Sequence, residues 1–493
     1  MKPQNRRTNE RCEGSTSHGN ELFSICLFRM KTMKAHVYTF YLFSYARGMN
    51  CQKALTLIVI LLLGLRLPAQ EKWTLNECIG YAIENNLQLQ DAALDEKIAE
   101  TNYRQSKWNL LPGLSAGADA GMNYGRSIDP NTNGIVNTSF FNNTYYLSAS
   151  LDVFRGLMLQ NQVRYQKLRK EYAGNNKVNV TDDLAFTVMN AFFNVVYYEE
   201  LLKIANEQKA LSELNVRKTS VLVTTGLKSQ TDLLEVKANF EKEELFILQT
   251  ANNLQSSWIS LKKAMNLPAG KQITLLVPQE APMVMAAPDT ALTALFSEHA
   301  RWSPYIRLFE NNLQASKRYV NISRGGYFPS LKLGAGYNTG FYETNRDAAN
   351  QVIDFNTQID NNRSQFLGAS LSIPLFGRNA TRFEVKRAKL NAEQSQAKLE
   401  LAKQTVMYEM EENYNELTAS IKEMQQAERQ LEADTLVFQA AQKKFDQGLI
   451  NAVELYTIKN RLATTSSQVL HSRLTYEIKK RMVGYYRGER FWE

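Results

Sequence analysis

The hydrophobic residues of this chain follow two different spacings along the sequence. Over long stretches they recur at every third or fourth position, for example at Leu184, Val188, Ala191 and Val195. This is the spacing of an amphipathic helix. In four shorter stretches, apolar residues alternate with small or polar ones, which is the period of a β-strand with two unlike faces. The pattern therefore predicts long helices separated by short strands.

The positions of the prolines show where the helices lie. The chain has 11 prolines, but none falls within residues 131–267 or 375–493. Proline is the residue that a helix interior tolerates least, because it lacks an amide N–H and its ring clashes with the preceding turn. The two proline-free stretches therefore predict helical hairpins over about 157–266 and about 378–487.

Each predicted hairpin is interrupted once by a Gly-Leu step. The steps are Gly226-Leu227 in the first hairpin and Gly448-Leu449 in the second, and the helical pattern resumes after each of them. Glycine accepts the positive φ angle with which many helices end. We therefore expect these four residues to form the turns at the hairpin tips.

The alternating stretches predict four strands that are long enough to cross a membrane. They lie at about 113–125, 144–155, 330–342 and 365–376. The alternating run within each of them is about ten residues long, which is the length that a tilted membrane strand needs. The charged residues of the alternating runs, Asp119, Asp152 and Lys332, fall on the polar face. The strands are thus interpreted as a membrane sheet with these three residues in a lumen, and a soluble sheet with one wet face is the alternative.

Aromatic residues near the predicted strand ends favour the membrane interpretation. Tyrosine and phenylalanine are typical of the interfaces on either side of a membrane barrel. The residues concerned are Tyr124, Tyr145, Tyr146, Phe341, Tyr342, Phe366 and Phe376. The Asn-rich segments 126–143 and 343–364 are expected to be extracellular loops.

The same series of elements occurs twice in the chain. Residues 111–118 match residues 328–335, and the two Gly-Leu steps follow in the same order. A tandem duplication accounts for this order. We expect a first repeat over 71–286, which ends in a proline-rich linker at 267–286, and a second repeat over 287–493.

Four strands cannot close a barrel, so the strand count bears on assembly. An open sheet edge in lipid leaves backbone groups without hydrogen-bond partners. Two chains would give a barrel of eight strands, and side chains fill the interior of such a barrel. Three chains would give twelve strands and a lumen wide enough for water. The small residues of the polar face favour the open lumen, so we expect a homotrimer.

The first 70 residues are expected to be absent from the working protein. Residues 49–70 combine Lys53, an apolar run of about a dozen residues and a small-residue cleavage zone, which is typical of a signal peptide. A short membrane anchor or a buried helix is the alternative. Because Met49 stands where such a peptide should begin, residues 1–48 are interpreted as a non-native upstream extension.

Charge and cysteine content exclude several classes of protein. The chain has a net charge of +9, but residues 1–70 hold ten Lys and Arg against three acids, or +7, which leaves +2 for the rest. A basic nucleic-acid binder is therefore not expected. Beyond residue 70 only Cys78, His299 and His471 remain, too few for a disulfide or a zinc site. We find no catalytic motif and expect no enzyme activity, cofactor or metal.

The ordered combination of these features resembles the TolC-like family of outer-membrane efflux proteins. The opening segment, residues 73–87, resembles the first-helix pattern of that family, and residues 448–456 resemble its second hairpin tip. The resemblance covers essentially all of 71–493. It implies a mainly α fold with tandem repeats, in which three chains form a β-barrel in the outer membrane and a helical barrel in the periplasm.

The resemblance also implies a function and partners. Such a trimer is a passive exit duct for efflux or type I secretion, which contacts a periplasmic adaptor, an inner-membrane pump and outer-membrane lipid. The alternative from the residues alone is a periplasmic coiled-coil spacer or adaptor with a soluble β-domain. The substrate, the particular pump, and the choice between efflux and secretion are not encoded in any motif.

The resemblance further points to acids at the hairpin tips. In the family, two acids lie six and nine residues after the glycine of the second tip and form an electronegative ring. Here these positions hold Glu454 and Thr457, and the first repeat has Asp232 and Glu235. We expect the three acids to gate and select cations at a periplasmic aperture, with the Gly-Leu turns contacting the adaptor. The alternative is that the acids only stabilise the first helical turn.

Overall fold

The computed structural model describes residues 71–128, 133–137, 139–276 and 292–492. The predicted signal peptide at 49–70, the upstream extension at 1–48 and the second half of the linker lie outside these residues. The described chain from Lys72 onward belongs to a single unit.

Helices make up most of this unit. In chain order they are α1 (Leu75–Asn85), α2 (Leu87–Trp108), α3 (Met158–Thr224), α4 (Gln230–Met265), α5 (Leu292–Trp302), α6 (Pro304–Arg324), α7 (Phe355–Asn361), α8 (Ala380–Asp446) and α9 (Ala452–Tyr486). The helices α3 and α8 each contain 67 residues, which corresponds to about 100 Å at 1.5 Å per residue. They are the first arms of the two hairpins.

Within the described residues, the strands form one large sheet and two small ones. In chain order they are β1 (Glu71–Trp73), β2 (Gly113–Asn123), β3 (Arg126–Ile128), β4 (Ile135–Asn137), β5 (Phe140–Arg155), β6 (Ile273–Leu275), β7 (Ser330–Tyr342) and β8 (Ser364–Ser372). The large sheet is antiparallel with the order β2-β5-β7-β8, whereas β1 pairs with β6 and β3 with β4.

Two of these strands differ in extent from the sequence expectation. The second long strand begins at Phe140, because Phe140–Asn143 continue the ladder with β2. The fourth ends at Ser372 instead of about 376. Pro374 has no amide N–H to give to a neighbouring strand, so the ladder stops before it.

The helices pack side by side in a defined order. Helix α3 contacts α2, α4 and α6, and α8 contacts α6 and α9. The helical layer of one chain thus runs from α2 and α4, through α3, to α6 and α9, and then to α8. Its two outer edges are formed by α2 with α4 and by α8.

The largest core lies where α1, α3 and α4 meet. Ile79, Val188, Phe192 and Leu261 are essentially inaccessible to solvent there. A second core joins α5, α6, α8 and the end of α9. Both cores lie in the helical part, near the region where the short helices α1 and α5 pack beside the long ones.

Both repeats leave the sheet through the same backbone conformation. The chain passes from β5 into α3 through Gly156 and Leu157, with φ angles of 57° and 59°, and reaches α8 through Arg378 and Asn379, with φ angles of 51° and 60°. A pair of left-handed residues thus turns the chain from extended to helical in each repeat. Leucine and arginine rarely adopt this conformation, so these junctions hold backbone strain.

In the described part of the chain, the helices lack a segment long and apolar enough to cross a membrane.

Candidate functional site

The large sheet has two faces of different chemistry. The register places Ser115 beside Ser148, and Ser148 beside Gly336. The intervening residues Ala116 and Leu147 are also paired with each other. Because alternate residues of a strand point to opposite faces, one face carries small and polar residues and the other carries aliphatic ones. We call them the polar face and the apolar face.

The apolar face is strongly exposed in the single chain. Leu114, Leu367 and Leu371 are 72%, 85% and 62% accessible to solvent. Leu114 lies on the outer strand β2, and Leu367 and Leu371 lie on the other outer strand, β8. A continuous exposed patch of large aliphatic residues is uncommon on a protein surrounded by water and marks a surface that lipid or another protein covers.

The three charged residues predicted for a lumen share the polar face. Asp152 on β5 pairs directly with Lys332 on β7, so the sheet brings these opposite charges together. A carboxylate oxygen of Asp152 also lies 3.8 Å from a guanidinium nitrogen of Arg155. Asp119 is not part of this group, because it pairs with Thr144 farther along the sheet.

Two aromatic residues also lie on the polar face, which corrects the prediction that they belong to an interfacial belt. A Cβ atom added to Gly117 would lie 2.4 Å from the ring of Tyr146, and one added to Gly368 would lie 2.6 Å from the ring of Phe366. Both rings therefore rest directly on glycine backbone. The rings therefore project little from the sheet, and only glycine, which has no side chain, leaves room for them.

Both edges of the sheet are open. Strand β2 pairs only with β5, and β8 pairs only with β7, among the residues that the structure describes. The helical layer also ends in apolar surfaces, since Leu245 and Ile259 on α4 and Phe383 and Leu401 on α8 are more than half exposed. Two different edges that each need a partner suit head-to-tail association of identical chains.

The expected extracellular loop at 343–364 contains the short helix α7, which packs on the upper end of β7. The side-chain amide of Gln358, fully buried, donates to the carbonyl oxygens of Tyr342 and Ile353, and its oxygen accepts from the amide N–H of Tyr342. The hydroxyl of Thr339 donates to the carbonyl oxygen of Ile359. The segment is thus fixed to the sheet by side-chain hydrogen bonds.

The two hairpin tips have the same backbone geometry. Gly226 and Gly448 have φ angles of 76° and 77°. After each glycine, the amide of the leucine reaches back to close the helix: Leu227 donates to the carbonyl of Leu222 and Leu449 donates to that of Lys444, both at 2.8 Å. This is the Schellman type of helix ending. Leu227 and Leu449 themselves project into solvent.

The acids that follow the turns have different surroundings. Asp232 accepts hydrogen bonds from the hydroxyl and the amide N–H of Ser229, in a reciprocal capping arrangement. These bonds hold the pKa of Asp232 below its usual value. Glu454 is exposed, and its amide N–H is capped by the side chain of Asn451. Glu235 lies one turn after Asp232 and is half-buried.

The two tips pack against each other. The ammonium group of Lys218 lies 3.0 Å from a carboxylate oxygen of Asp446, and the ammonium group of Lys228 lies 4.1 Å from the centre of the Phe445 ring. Phe445 is buried beside Val236 in a small apolar cluster formed by residues of both hairpins. Asp232 and Glu454 therefore belong to neighbouring tips of one chain, although no direct contact joins them in the described structure.

Sequence reasoning missed a buried ion pair above the tips. Lys459 on α9 is 2% exposed, and its ammonium group donates to a carboxylate oxygen of Glu243 at 2.7 Å and to the hydroxyl of Ser212 at 2.6 Å. It also donates to the carbonyl oxygen of Gln208. The sequence holds a signal, because Lys459 continues the apolar stripe of Ala452 and Leu455 at helical spacing.

This ion pair connects both repeats. Ser212 and Gln208 lie on α3, Glu243 lies on α4, and Lys459 lies on α9 of the second hairpin. Burial lowers the pKa of Lys459, and the neighbouring carboxylate of Glu243 opposes this effect. Three donated hydrogen bonds, one of them to a carboxylate, compensate a buried ammonium group in the way that such groups require.

In the described residues, no group of three or more His, Cys, Asp or Glu side chains could hold a metal ion. Cys78 is buried in the first core, and burial raises the pKa of its thiol to about 12. His299 is buried between aromatic rings, and burial lowers its pKa to about 4. These groups belong to the packing of the helical layer.

Comparisons with known proteins agree on one family. The family model described as outer membrane efflux protein matches residues 78–267 and 296–481. The outer membrane protein TolC of Salmonella enteritidis is 22% identical over 409 residues, which are 82% of this chain and 79% of that protein. The proteases secretion protein PrtF of Dickeya chrysanthemi is 21% identical over 344 residues, 68% of this chain and 70% of that one.

Solved structures have the same fold. The CmeC outer membrane channel of Campylobacter jejuni superimposes with a TM-score of 0.73 at 16% sequence identity. The match covers 84% of this chain and 85% of the channel. It therefore extends across both repeats, including the sheet and both hairpins.

Proposed function

Since the chain belongs to the outer membrane efflux protein family, we propose that three copies of it form an outer-membrane exit channel of an efflux or secretion system. The observation that carries this proposal is the sheet with two open edges and an exposed apolar face, joined directly to two long helical hairpins. Lipid would cover the apolar face, and the polar face would line the channel.

The open edges support closure into a ring. If β8 of one chain pairs with β2 of the next, three chains give a closed barrel of twelve strands in which every backbone group has a partner. The exposed apolar residues of α8 would meet those of α4 in the neighbouring chain at the same time. The helical layer would then continue the barrel into the periplasm.

The alternative of a soluble spacer has less support from the sheet. A soluble β-domain buries its apolar face against a second layer. In the described structure α7 packs on one end of the large sheet. The aliphatic residues in the middle of the apolar face have no protein cover.

Transport through such a channel is passive, so the energy must come from other proteins, which are part of the proposal. A periplasmic adaptor would contact the exposed tips at Leu227 and Leu449, and an inner-membrane pump would provide the energy.

The proposal is tested with the purified chain lacking residues 1–70. In detergent we expect a particle of three chains, and in a planar lipid bilayer we expect stable single-channel currents. A monomer that remains soluble without detergent and gives no current would contradict the proposal and favour the spacer. Detergent-free fractionation of cells gives the same distinction.

At the tips, we propose that Glu454 attracts cations to the aperture. Its carboxylate is exposed and has no role in capping its own helix, a role that the side chain of Asn451 performs. Three copies around a narrow opening would raise the local cation concentration. Asp232 has less freedom to contribute, because Ser229 engages its carboxylate, and Glu235 is half-buried.

Single-channel recordings test this role. Glu454→Gln should reduce the preference for cations over anions and weaken block by multivalent cations. The control is Glu423→Gln, which neutralises an exposed acid on α8 far from the tips. Equal cation preference in the Glu454→Gln channel and the original channel would remove the ring hypothesis.

A further inference from the structure

The segments that connect the sheet to the helices carry an unusual charge. These segments are residues 104–112 before β2, 155–172 from the last residue of β5 onward, 315–329 before β7 and 373–390 after β8. The register pairs Arg155 with Ser330 and Ser330 with Ser372, and Gly113 begins β2 on the same side. All four segments therefore leave the sheet at the same end.

These segments contain 15 Lys and Arg residues but only two acids, Glu171 and Glu384, which is an excess of 13 positive charges. The basic residues are Arg104, Lys107, Arg155, Arg164, Lys167, Arg169, Lys170, Lys317, Arg318, Arg324, Arg378, Arg382, Lys386, Arg387 and Lys389. We call them the basic collar. Residues 71–493 together have a net charge of only +2, so the collar is compensated by an acidic remainder of the chain.

The opposite end of the sheet has no such excess. Segments 124–143 and 343–363, which join the strands there and include the first four residues of β5, contain three basic and five acidic residues. The charge therefore changes from −2 at one end of the sheet to +13 at the other. Such an asymmetry across strands of membrane length places a positive zone at one bilayer surface only.

Ion pairs within the chain engage five of the 15 basic residues of the collar. Glu100 contacts Arg104 and Lys170, and the other pairs join Arg155 to Asp152, Lys167 to Glu171 and Arg387 to Glu384. Glu100 and Asp152 lie just outside the counted segments, and including them still leaves an excess of 11. Most basic residues of the collar remain available to an external anion.

On α8 the collar occupies a surface that the fold does not use for packing. Arg382, Lys386 and Lys389 are exposed and lie at spacings of four and three residues, so they form one stripe. Val385 and Ala388 are buried against the neighbouring helix, and Phe383 and Leu390 form a separate exposed apolar stripe. The basic stripe thus lies on neither the buried face nor the apolar edge.

We propose that the basic collar binds the headgroups of anionic phospholipids in the periplasmic leaflet of the outer membrane. This inference rests on the proposed function, which places the sheet in the bilayer. Arg382 and Lys389 lie about 3 and 14 Å along α8 from its first residue, at 1.5 Å per residue. Long basic side chains on the first turns can reach upward to the headgroups while their stems remain on the protein.

The charge complementarity favours lipid over other anions. Basic residues beside an anionic membrane surface gain attraction within a Debye length of it, and the collar begins where the apolar face ends. A dissolved anion in the lumen would need the basic stripes to point inward, which is the competing outcome of the experiment. If the stripes face the lipid, their neutralisation removes the lipid preference. If they face the lumen, it changes the ion selectivity instead.

The test uses the intact trimer in vesicles of phosphatidylcholine with spin-labelled phosphatidylglycerol or spin-labelled phosphatidylcholine as probe. The original protein should associate with phosphatidylglycerol several-fold more strongly than with phosphatidylcholine. The triple variant Arg382→Gln, Lys386→Gln, Lys389→Gln should lose most of this preference. The matched control is Lys422→Gln, Arg429→Gln, Lys443→Gln, which removes three exposed charges of the same helix far from the sheet, and it should retain the preference.

Two further readouts make the result decisive. Raising the salt concentration should reduce the preference of the original protein, even if the triple variant fails to fold. Equal association of both lipids with the original protein would overturn the proposal. So would a triple variant that keeps the lipid preference but loses anion conductance, because its stripe would then face the lumen. A chain that forms no trimer and no channel would instead contradict the proposed function itself.

Discussion

Lys459 places a positive charge inside the helical layer, and its partners determine the energetic consequence. The pair with Glu243 is almost inaccessible to solvent, and the second carboxylate oxygen of Glu243 has no hydrogen-bond partner in the described structure. Such a pair contributes little net stability compared with apolar residues of similar size. Removal of one partner, however, leaves an uncompensated buried charge.

We therefore expect Lys459→Met to lower the free energy of unfolding by about 3 kcal/mol, because Glu243 then keeps its charge without a counterion. The double variant Lys459→Met, Glu243→Leu should recover most of this loss. Thermal unfolding followed by circular dichroism measures both. The control is Lys209→Met, which breaks a half-exposed pair with Glu244 and should change the stability by less than about 1 kcal/mol. A single variant as stable as the original would mean that water replaces the ammonium group.

His299 gives the helical layer a dependence on pH. Its ring packs on Trp302 and Tyr486, with centroids 4.6 and 5.2 Å away, and burial lowers its pKa from 6.5 to about 4. The unfolded chain therefore binds a proton more readily than the folded chain between these values. Stability from this residue is fully present above pH 6.5 and is lost as the pH falls towards 4.

The expected loss amounts to about 3 kcal/mol over that range. His299→Phe should remove it, because phenylalanine does not titrate, and the unfolding midpoint of this variant should fall less between pH 7 and 4.5. Glu409 and Asp183 act in the opposite direction, since burial raises the pKa of both. The difference between variant and original isolates the histidine. The same pH dependence in both proteins would show that His299 has the same pKa in the folded and the unfolded chain.

At the scale of the elements, the junction from sheet to helix in the first repeat is a point of close backbone approach. A Cβ atom added to Gly156 would lie 2.3 Å from the carbonyl oxygen of Gly325. Backbone from β5 and backbone from the end of α6 thus approach each other where the two layers meet. Glycine is required there for space and for the φ angle of 57°.

Gly156→Ala should therefore destabilise the protein by more than about 2 kcal/mol, through the combined strain of a positive φ angle and a backbone clash. The measurement is the temperature at which the purified protein unfolds, followed by circular dichroism. Gly80→Ala is the matched control, because Gly80 lies within α1 with no atom near its added Cβ. It should stabilise the protein by about 0.5–1 kcal/mol. Equal behaviour of the two variants would contradict the steric argument.

The sequence was sufficient to predict the class of fold, and the reasons are physical. Prolines are excluded from long helices, and Gly226 and Gly448 mark turns because only glycine adopts their φ angles without strain. Leu157 and Arg378 adopt similar angles without any sequence signal, so the junctions were not predicted. Phe366 lies two positions before Gly368, so the alternation of the strand already places it on the polar face. It was nevertheless assigned to the interfacial belt, because aromatic residues prefer membrane interfaces. Lys459 was missed because charged residues are expected in solvent.

At the scale of the whole molecule, the two edges of one chain are different surfaces. In the proposed ring, Leu401 on α8 would meet α4 of the next chain. Leu401→Glu should weaken the trimer at least tenfold in detergent, because a carboxylate would be buried in an apolar interface, while circular dichroism shows the helices to be retained. Gln396→Glu, which adds the same charge to another exposed face of α8, should leave the trimer intact. Trimers of equal strength in both variants would place the interface elsewhere.

The unlike edges β2 and β8 have a genetic consequence. In a head-to-tail ring every chain offers one edge to each neighbour, so a chain with one damaged edge can still join the ring through its other edge. Such a chain would enter rings with normal chains and prevent their closure. Alleles that damage only β2 or only β8 should therefore be dominant over the normal copy in a cell that expresses both. Alleles that damage both edges should be recessive, since their product cannot join any ring.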